Sequence, residues 1–432
     1  MSPSAGLGAV RIALLPWGTP LEVFLDPLGK TLDDFCERLS GGWLFGYADA
    51  ILAAGHQPGI IVSSRAVRAE TTRVHLPTGT AVTVLPEPER SGPTRRPGLR
   101  QDVVAYRRAL PHGLLRVLSR FEVVLVQEYE EPRADLLAWW GWLQGVRVMA
   151  SFQGGVPPWR AAPVQNLVRG PSVRRLAGLL VGSAEEADRL VSVRGADPAR
   201  VHHVVNPVDT TVWLPKDRAA ARSRLGIPPG AFVAAWHGRV DVRRKGLDVL
   251  IAAWAGLCSR QPRTDLRLLL VGAGPDQDVL RSLLAGRGLR GVQWLAEYAG
   301  ANDVGERLAA CDVWVSASRH EGFAVAPLEA MASGRAVVLS DAPGAEDAIG
   351  RSGAHGGTLV PRGDGAALTA ALQEALRDAG RLNDRGRAAR QRAEEEFSVS
   401  AVSSQLAAAV AAATCAPGQR RRRTNCTAPG GS

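Results

Sequence analysis

Lysine is nearly absent from this 432-residue chain: of 52 basic residues, only Lys30, Lys216 and Lys245 are lysines. A skew towards arginine, together with much alanine and glycine, fits a GC-rich genome and says little about function. Cysteine is also scarce. Cys36, Cys258, Cys311, Cys415 and Cys426 are odd in number, scattered and without a Cys-x-x-Cys pair. That speaks against a disulfide framework or a zinc knuckle and for a reducing, cytoplasmic setting. Apolar runs are short, residues 406–413 being an example, whereas a helix across a bilayer needs about 20 such residues. Residues 1–15 hold no basic stretch followed by an apolar one, so no secretory leader is expected. The sequon Asn425-Cys426-Thr427 then reads as coincidence. No G-x-x-x-x-G-K-[ST], H-E-x-x-H or G-x-S-x-G pattern occurs.

What is present is the composition of a chain that buries cores: 46% hydrophobic and 22% charged residues, over a length that suggests two or three domains. Glycine (47) and proline (28) stay short of a low-complexity composition. The net charge is +10, and Arg420, Arg421, Arg422 and Arg423 supply four of those charges. A partner built of phosphates is therefore not required. These arginines could touch an anionic membrane, so peripheral contact with the inner face of a membrane is an expectation beside a cytoplasmic location.

Strand-like apolar runs alternate with amphipathic stretches almost from end to end. In the first half, strands are expected at 10–15, 56–63, 80–85, 123–127, 146–152, 179–182 and 201–205, with helices at 43–54 and 134–143. Residues 16–40 read as rich in turns, and 87–100 as a Pro- and Arg-rich loop. In the second half, strands are expected at 232–236, 266–271, 292–295, 313–316 and 336–339. Helices are expected there at 247–257, 275–285, 301–310, 328–333 and, as one long region, 366–396. The prolines at 207, 215, 228 and 229 suit a hinge. The pattern predicts an α/β fold of two doubly wound domains, 1–208 and 209–396, whose parallel sheets face a central cleft. A last helix, about 397–413, is expected to pack back on the first domain, and 415–432 to be a disordered basic tail.

Two segments carry chemistry. Residues 313–341 read strand, loop, helix, strand, with Glu321 in the loop and Glu329 in the first turn of a helix starting near Pro327. Unpaired N–H groups at such a helix start form an anion site, which the small side chain of Ala324 leaves accessible. Both carboxylates can accept hydrogen bonds from hydroxyls, as a sugar or ribose offers. The second segment, residues 236–247, follows a strand and holds Gly238, Arg239 and Lys245. An arginine fork with a lysine point charge suits a diphosphate. His202-His203 alternates across a strand and reads as structural, and Trp139, Trp140 and Trp142 read as helix packing.

Glu321-Gly322-Phe323 through Leu328-Glu329-Ala330, with Gly238-Arg239 and Lys245-Gly246 before it, resembles the retaining family-4 glycosyltransferases of the GT-B fold. Val271-Gly272-Ala273-Gly274-Pro275 and Asn206-Pro207-Val208-Asp209 stand where that family has comparable motifs. The resemblance covers about residues 182–338. It implies Rossmann-like domains and a nucleotide diphosphate-sugar co-substrate, with no metal or other cofactor. Arg239, Lys245 and the N–H groups of Phe323, Ala324 and Val325 would hold the donor diphosphate. Glu321 would contact the donor sugar, Glu329 the ribose, and Gly41-Gly42 the phosphates. The base would lie near Gly272 and Tyr298. Where the family commonly has a histidine on the acceptor side, this chain has Gln153-Gly154. Pro207 and Ala324 also stand where the family often has glycine.

The activity so implied is transfer of a sugar to a hydroxyl of a small molecule, glycan or lipid-linked acceptor. A nucleotide-sugar epimerase or hydrolase on a similar fold is the rival among enzymes. A nucleic-acid-binding protein is the rival from another class; its basic residues would have to act without any reading motif.

Overall fold

The computed structural model describes residues 8–16, 18–87, 99–155, 163–262, 264–285, 289–297, 300–350 and 353–415. The expected tail beyond Cys415 lies outside them. The first sheet has eight strands: β1 (Arg11–Leu15), β2 (Gln57–Ser64), β3 (Thr71–His75), β4 (Thr80–Pro86), β5 (Val123–Gln127), β6 (Arg147–Ser151), β7 (Gly178–Val181) and β8 (Val201–His203). Their order is β3-β4-β2-β1-β5-β6-β7-β8, parallel throughout except at the β3–β4 edge. Leu14 lies beside Ile60 on one side and Leu125 on the other. Such central strands are covered on both faces, which is why they read as unbroken runs such as VVLV rather than as alternation.

The second sheet has six strands: β9 (Phe232–His237), β10 (Leu266–Val271), β11 (Val292–Leu295), β12 (Val313–Ser316), β13 (Ala336–Ser340) and β14 (Gly357–Val360). They run in the order β11-β10-β9-β12-β13-β14, all parallel. Strand order reverses between β1 and β5 in one sheet and between β9 and β12 in the other. Crevices at such reversals, outside the carboxyl ends of the strands, are where these folds bind ligands.

The chain crosses between the sheets twice. Val208 donates its N–H to the Phe397 carbonyl at 2.8 Å, and Val208 and Ser398 form an isolated bridge. Helix Val399–Cys415 then lies against helix Gly42–Ala53 and strands β6 and β7 of the first sheet. Gln405 fastens it by accepting the Val205 N–H at 3.2 Å.

Several local expectations are corrected. Residues 16–40 are not merely turns: they hold helices Glu22–Leu25 and Leu32–Glu37, the second started by a Thr31/Asp34 capping box. The 87–100 loop ends early, because helix Leu99–Arg108 has begun by Leu99. Strands β3 and β14 are additional. The long region 366–396 breaks at Asp378, whose side chain caps the second of two helices, Gly365–Arg377 and Ala379–Arg392. Helix Val325–Ala332 starts two residues before Pro327, which occupies its third position. Among the described residues, no helix is long and apolar enough to cross a membrane.

Candidate active site

Strand β9 ends at His237, and the chain then turns through Gly238 and Arg239 into the single turn Val242–Lys245, started by the Asp241 side chain accepting the Arg244 N–H at 3.0 Å. Gly246 stops that turn in a left-handed conformation (φ 61°), and a β-carbon there would collide with the Ala317 carbonyl oxygen. Glycine thus lets Lys245 come up against the exit of β12. The Lys245 ammonium lies 2.6 Å from Glu321 Oε1 in the loop that follows β12. Burial alone would raise the pKa of Glu321. The charges of Lys245 and Arg244, with hydrogen bonds from Lys245 and Ser318, outweigh it and hold the carboxyl below its ordinary range. Arg319 clamps the same loop to Asp248 through two bonds of 2.8 and 2.7 Å.

Helix Val325–Ala332 follows, and no side chain caps its first N–H groups. Its Glu329 is buried and receives His237 Nε2 at 2.7 Å on Oε2. Glu329 Oε1 is turned to the first sheet: a β-carbon on Gly41 would sit 3.8 Å from it. Gly41 (φ 75°) and Gly42 (φ 67°) both need left-handed backbone to start helix Gly42–Ala53 there.

A cavity of about 580 Å³ lies between the two sheets, and Lys245 is not among its lining residues. Gly41, Gly42, Gly238, Arg239, Gly272, Val325 and Glu329 all line it. Arg239 is exposed, and its side chain has no hydrogen bond or ion pair among the described residues, although its carbonyl accepts the Asp241 N–H at 3.0 Å. Glu321, Phe323 and Ala324 line a small adjoining recess instead. Gly322 sits on the far side of the loop, pressed against Gln153-Gly154: a β-carbon on it would come 2.6 Å from the Gln153 carbonyl carbon. Gln153 exchanges two 2.9 Å hydrogen bonds with the Asn206 amide, and Asn206 also donates to the Phe323 carbonyl at 2.6 Å. The two residues expected on the acceptor side thus join the two domains beside Glu321. Tyr298 lies outside the described residues.

Three features were not anticipated. His237 is hidden at the end of an apolar strand, its one signal being a position directly before Gly238-Arg239. The helices of residues 22–37 wall the cavity with Phe24, Leu28 and Phe35. Glu128, just past β5, has a φ of 67° and accepts backbone N–H groups from Glu130 (3.2 Å), Gln153 (3.2 Å) and Gly155 (2.6 Å). Burial, then the neighbouring Glu130, push its carboxyl up to about 8. Among the described residues, no cluster of His, Cys, Asp and Glu could hold a metal ion. The tryptophans 139 and 142 meet edge to face, with the Arg175 guanidinium 3.3 Å above the Trp139 ring.

The family model described as Glycosyltransferase Family 4 matches residues 44–212, and the model described as Glycosyl transferases group 1 matches residues 231–378. A D-inositol 3-phosphate glycosyltransferase of Nocardia farcinica is 36% identical over 224 residues, 48% of this chain and 47% of that protein. The chain therefore spans about half the length of that relative. One from an Arthrobacter species is 32% identical over 305 residues, 65% of this chain and 71% of that protein. The structure of sucrose-phosphate synthase from Thermosynechococcus elongatus matches with a TM-score of 0.69 at 20% identity, over 93% of this chain and 98% of that one, a likeness of fold. Two domain models in order, a relative aligned over most of its length and the two facing parallel sheets agree: the chain belongs to the glycosyltransferases of the GT-B fold.

Proposed function

We propose that the enzyme transfers a sugar from a nucleotide diphosphate-sugar to an acceptor hydroxyl with retention of anomeric configuration, using no metal or other resident cofactor. The observation that carries this reading is that Arg239 and the uncapped start of helix Val325–Ala332 line the interdomain cavity, while the Lys245–Glu321 pair holds the loop beside it, where Glu321 lines the adjoining recess. A departing diphosphate develops negative charge, and fixed cations with a helix N-terminus stabilise it most where water is excluded. Glu321 then holds the donor sugar and Glu329 the ribose. Neither carboxylate serves as a nucleophile in this reading; a phosphate oxygen of the leaving group takes the acceptor proton while the hydroxyl attacks from the same face. The inositol-phosphate relatives support a hydroxyl of a small polyol as the kind of acceptor to try first.

A thermal-shift screen of nucleotide-sugars, followed by NMR of the product's anomeric proton, tests the proposal. An α-linked donor should give an α-glycoside. A β-linked product overturns retention, and donor consumption that needs no acceptor favours hydrolysis or epimerisation.

A further inference from the structure

We infer that His237 is a positioning residue: it fixes the Glu329 carboxylate, and through it the grip on the donor's ribose. The inference rests on the reading of Glu329 given above. The Trp314 indole N–H lies 2.9 Å from His237 Nδ1. An indole only donates, so Nδ1 accepts and the ring hydrogen sits on Nε2. That is the nitrogen 2.7 Å from Glu329 Oε2. The tautomer is therefore set by the protein, and it is the one that donates to the carboxylate.

The ring cannot readily turn away. Trp213 is stacked against it (centroids 6.2 Å apart, 20° between planes) and Trp314 meets it edge to face at 5.5 Å. His237, Trp213 and Trp314 are all buried. A glutamate side chain has several rotatable bonds, and on a helix facing a cavity it would sample several directions. Tying Oε2 to His237 leaves Oε1 directed across the cleft at Gly41, where a hydroxyl can reach it. His237 also precedes Gly238-Arg239, so one strand end would set both the ribose contact and a diphosphate contact. A histidine serving only the core would give stability without regard to what the ligand carries. A positioning histidine discriminates between ligands with and without ribose hydroxyls.

Calorimetric titration with UDP, ADP and GDP identifies the tightest diphosphate, which is then compared with its 2′,3′-dideoxy counterpart. Wild type should favour the ribo form by about tenfold or more, the scale of a hydrogen bond to a charged group. Glu329→Ala should erase that preference. His237→Phe should erase most of it, read as the ratio of the two affinities within the variant. His237→Gln can donate to Glu329 and accept from Trp314, and should restore most of the preference. Should His237→Phe fail to fold by circular dichroism, His237→Leu takes its place. If the preference survives in the Phe or Leu variant but is lost in Glu329→Ala, the inference is overturned and the reading of Glu329 stands. A preference that survives Glu329→Ala, or no binding of any of the three diphosphates, overturns both.

Discussion

Lys245 and Glu321 stand 2.6 Å apart, although 76 residues separate them in the chain, while the side chain of Arg239, just before the turn that carries Lys245, has no partner among the described residues. The two cations proposed for the diphosphate therefore differ in what else depends on them. Lys245→Ala would strip a buried carboxylate of its main counter-charge, which is costly because the remaining charge is left unpaired. It should lower both kcat/KM and the melting temperature. Arg239→Ala should weaken diphosphate binding by about ten- to a hundredfold and leave the melting temperature unchanged. Donor titration beside thermal melts separates the two; equal melting losses would mean Arg239 is a structural residue.

The two carboxylates should also part company in kinetics. A ribose contact acts on ground and transition states alike, so Glu329→Ala should mainly raise the donor KM, by about ten- to a hundredfold. Glu321 is proposed to touch the sugar that gains charge during transfer, so Glu321→Ala should chiefly lower kcat. Steady-state kinetics with the donor and acceptor found by screening decides this. Two variants with ordinary kcat and KM would place the donor elsewhere.

Much of the second domain was legible because its chemistry is local. Glu321, Arg239 and Lys245 sit on short strand-to-helix connections, where spacing puts them at a strand's carboxyl end, and Glu329 is the fifth residue of the helix that follows, just past the first turn expected for it. The first domain was less so. Its inserted helices are short and depend on a capping box at Thr31 and on contacts with the rest of the domain, which no periodicity reveals. Gln153 stands where the resemblance puts the acceptor side, and nothing in the chain order shows that its amide is held by Asn206, 53 residues away. The imidazole of His237 and the left-handed backbone of Glu128 are fixed by tertiary neighbours, Trp314 and the 153–155 loop. Neither is visible in the chain order.

Closure of the cleft should hinge on a single missing methyl. Gly322 and Gly154 meet back to back, and a β-carbon on either would strike the other's loop. Gly322→Ala has no strain of its own to bear, since its φ is not in the left-handed region. It should push the two loops apart and lower kcat by about tenfold or more, as displacements of this size do near reacting groups. The fold should survive, because the change lies between domains and outside either core. Activity equal to wild type with an unchanged melting temperature would show that this contact is not needed for turnover.

Treatment with EDTA should leave turnover intact. Arg239, Lys245 and the start of helix Val325–Ala332 already supply positive potential to a diphosphate. Assay after chelation and desalting checks this; activity lost and then restored by Mg²⁺ or Mn²⁺ would show that the leaving group is stabilised otherwise.

Glu128 should leave a signature in stability against pH. A glutamate in the unfolded chain ionises near 4.5, whereas burial and Glu130 push folded Glu128 up to about 8. Between those values the folded chain keeps a proton that the unfolded chain has already lost. Unfolding then releases that proton, so stability from this group falls as pH rises from about 4.5 to about 8. Glu128→Gln removes the titration while keeping an oxygen for the N–H groups of Gln153 and Gly155. The drop in melting temperature between pH 5 and pH 8.5 should therefore be smaller in the variant, at about 2–4 °C for each kcal/mol if the first domain, of roughly 200 residues, unfolds as one unit. An amide has one accepting oxygen where the protonated carboxyl has two for the three N–H donors, so a modest loss at pH 5 is expected too. Differential scanning calorimetry across that range isolates the slope from the offset. Parallel curves for the two proteins would mean that Glu128 does not hold a proton in the folded state near neutral pH.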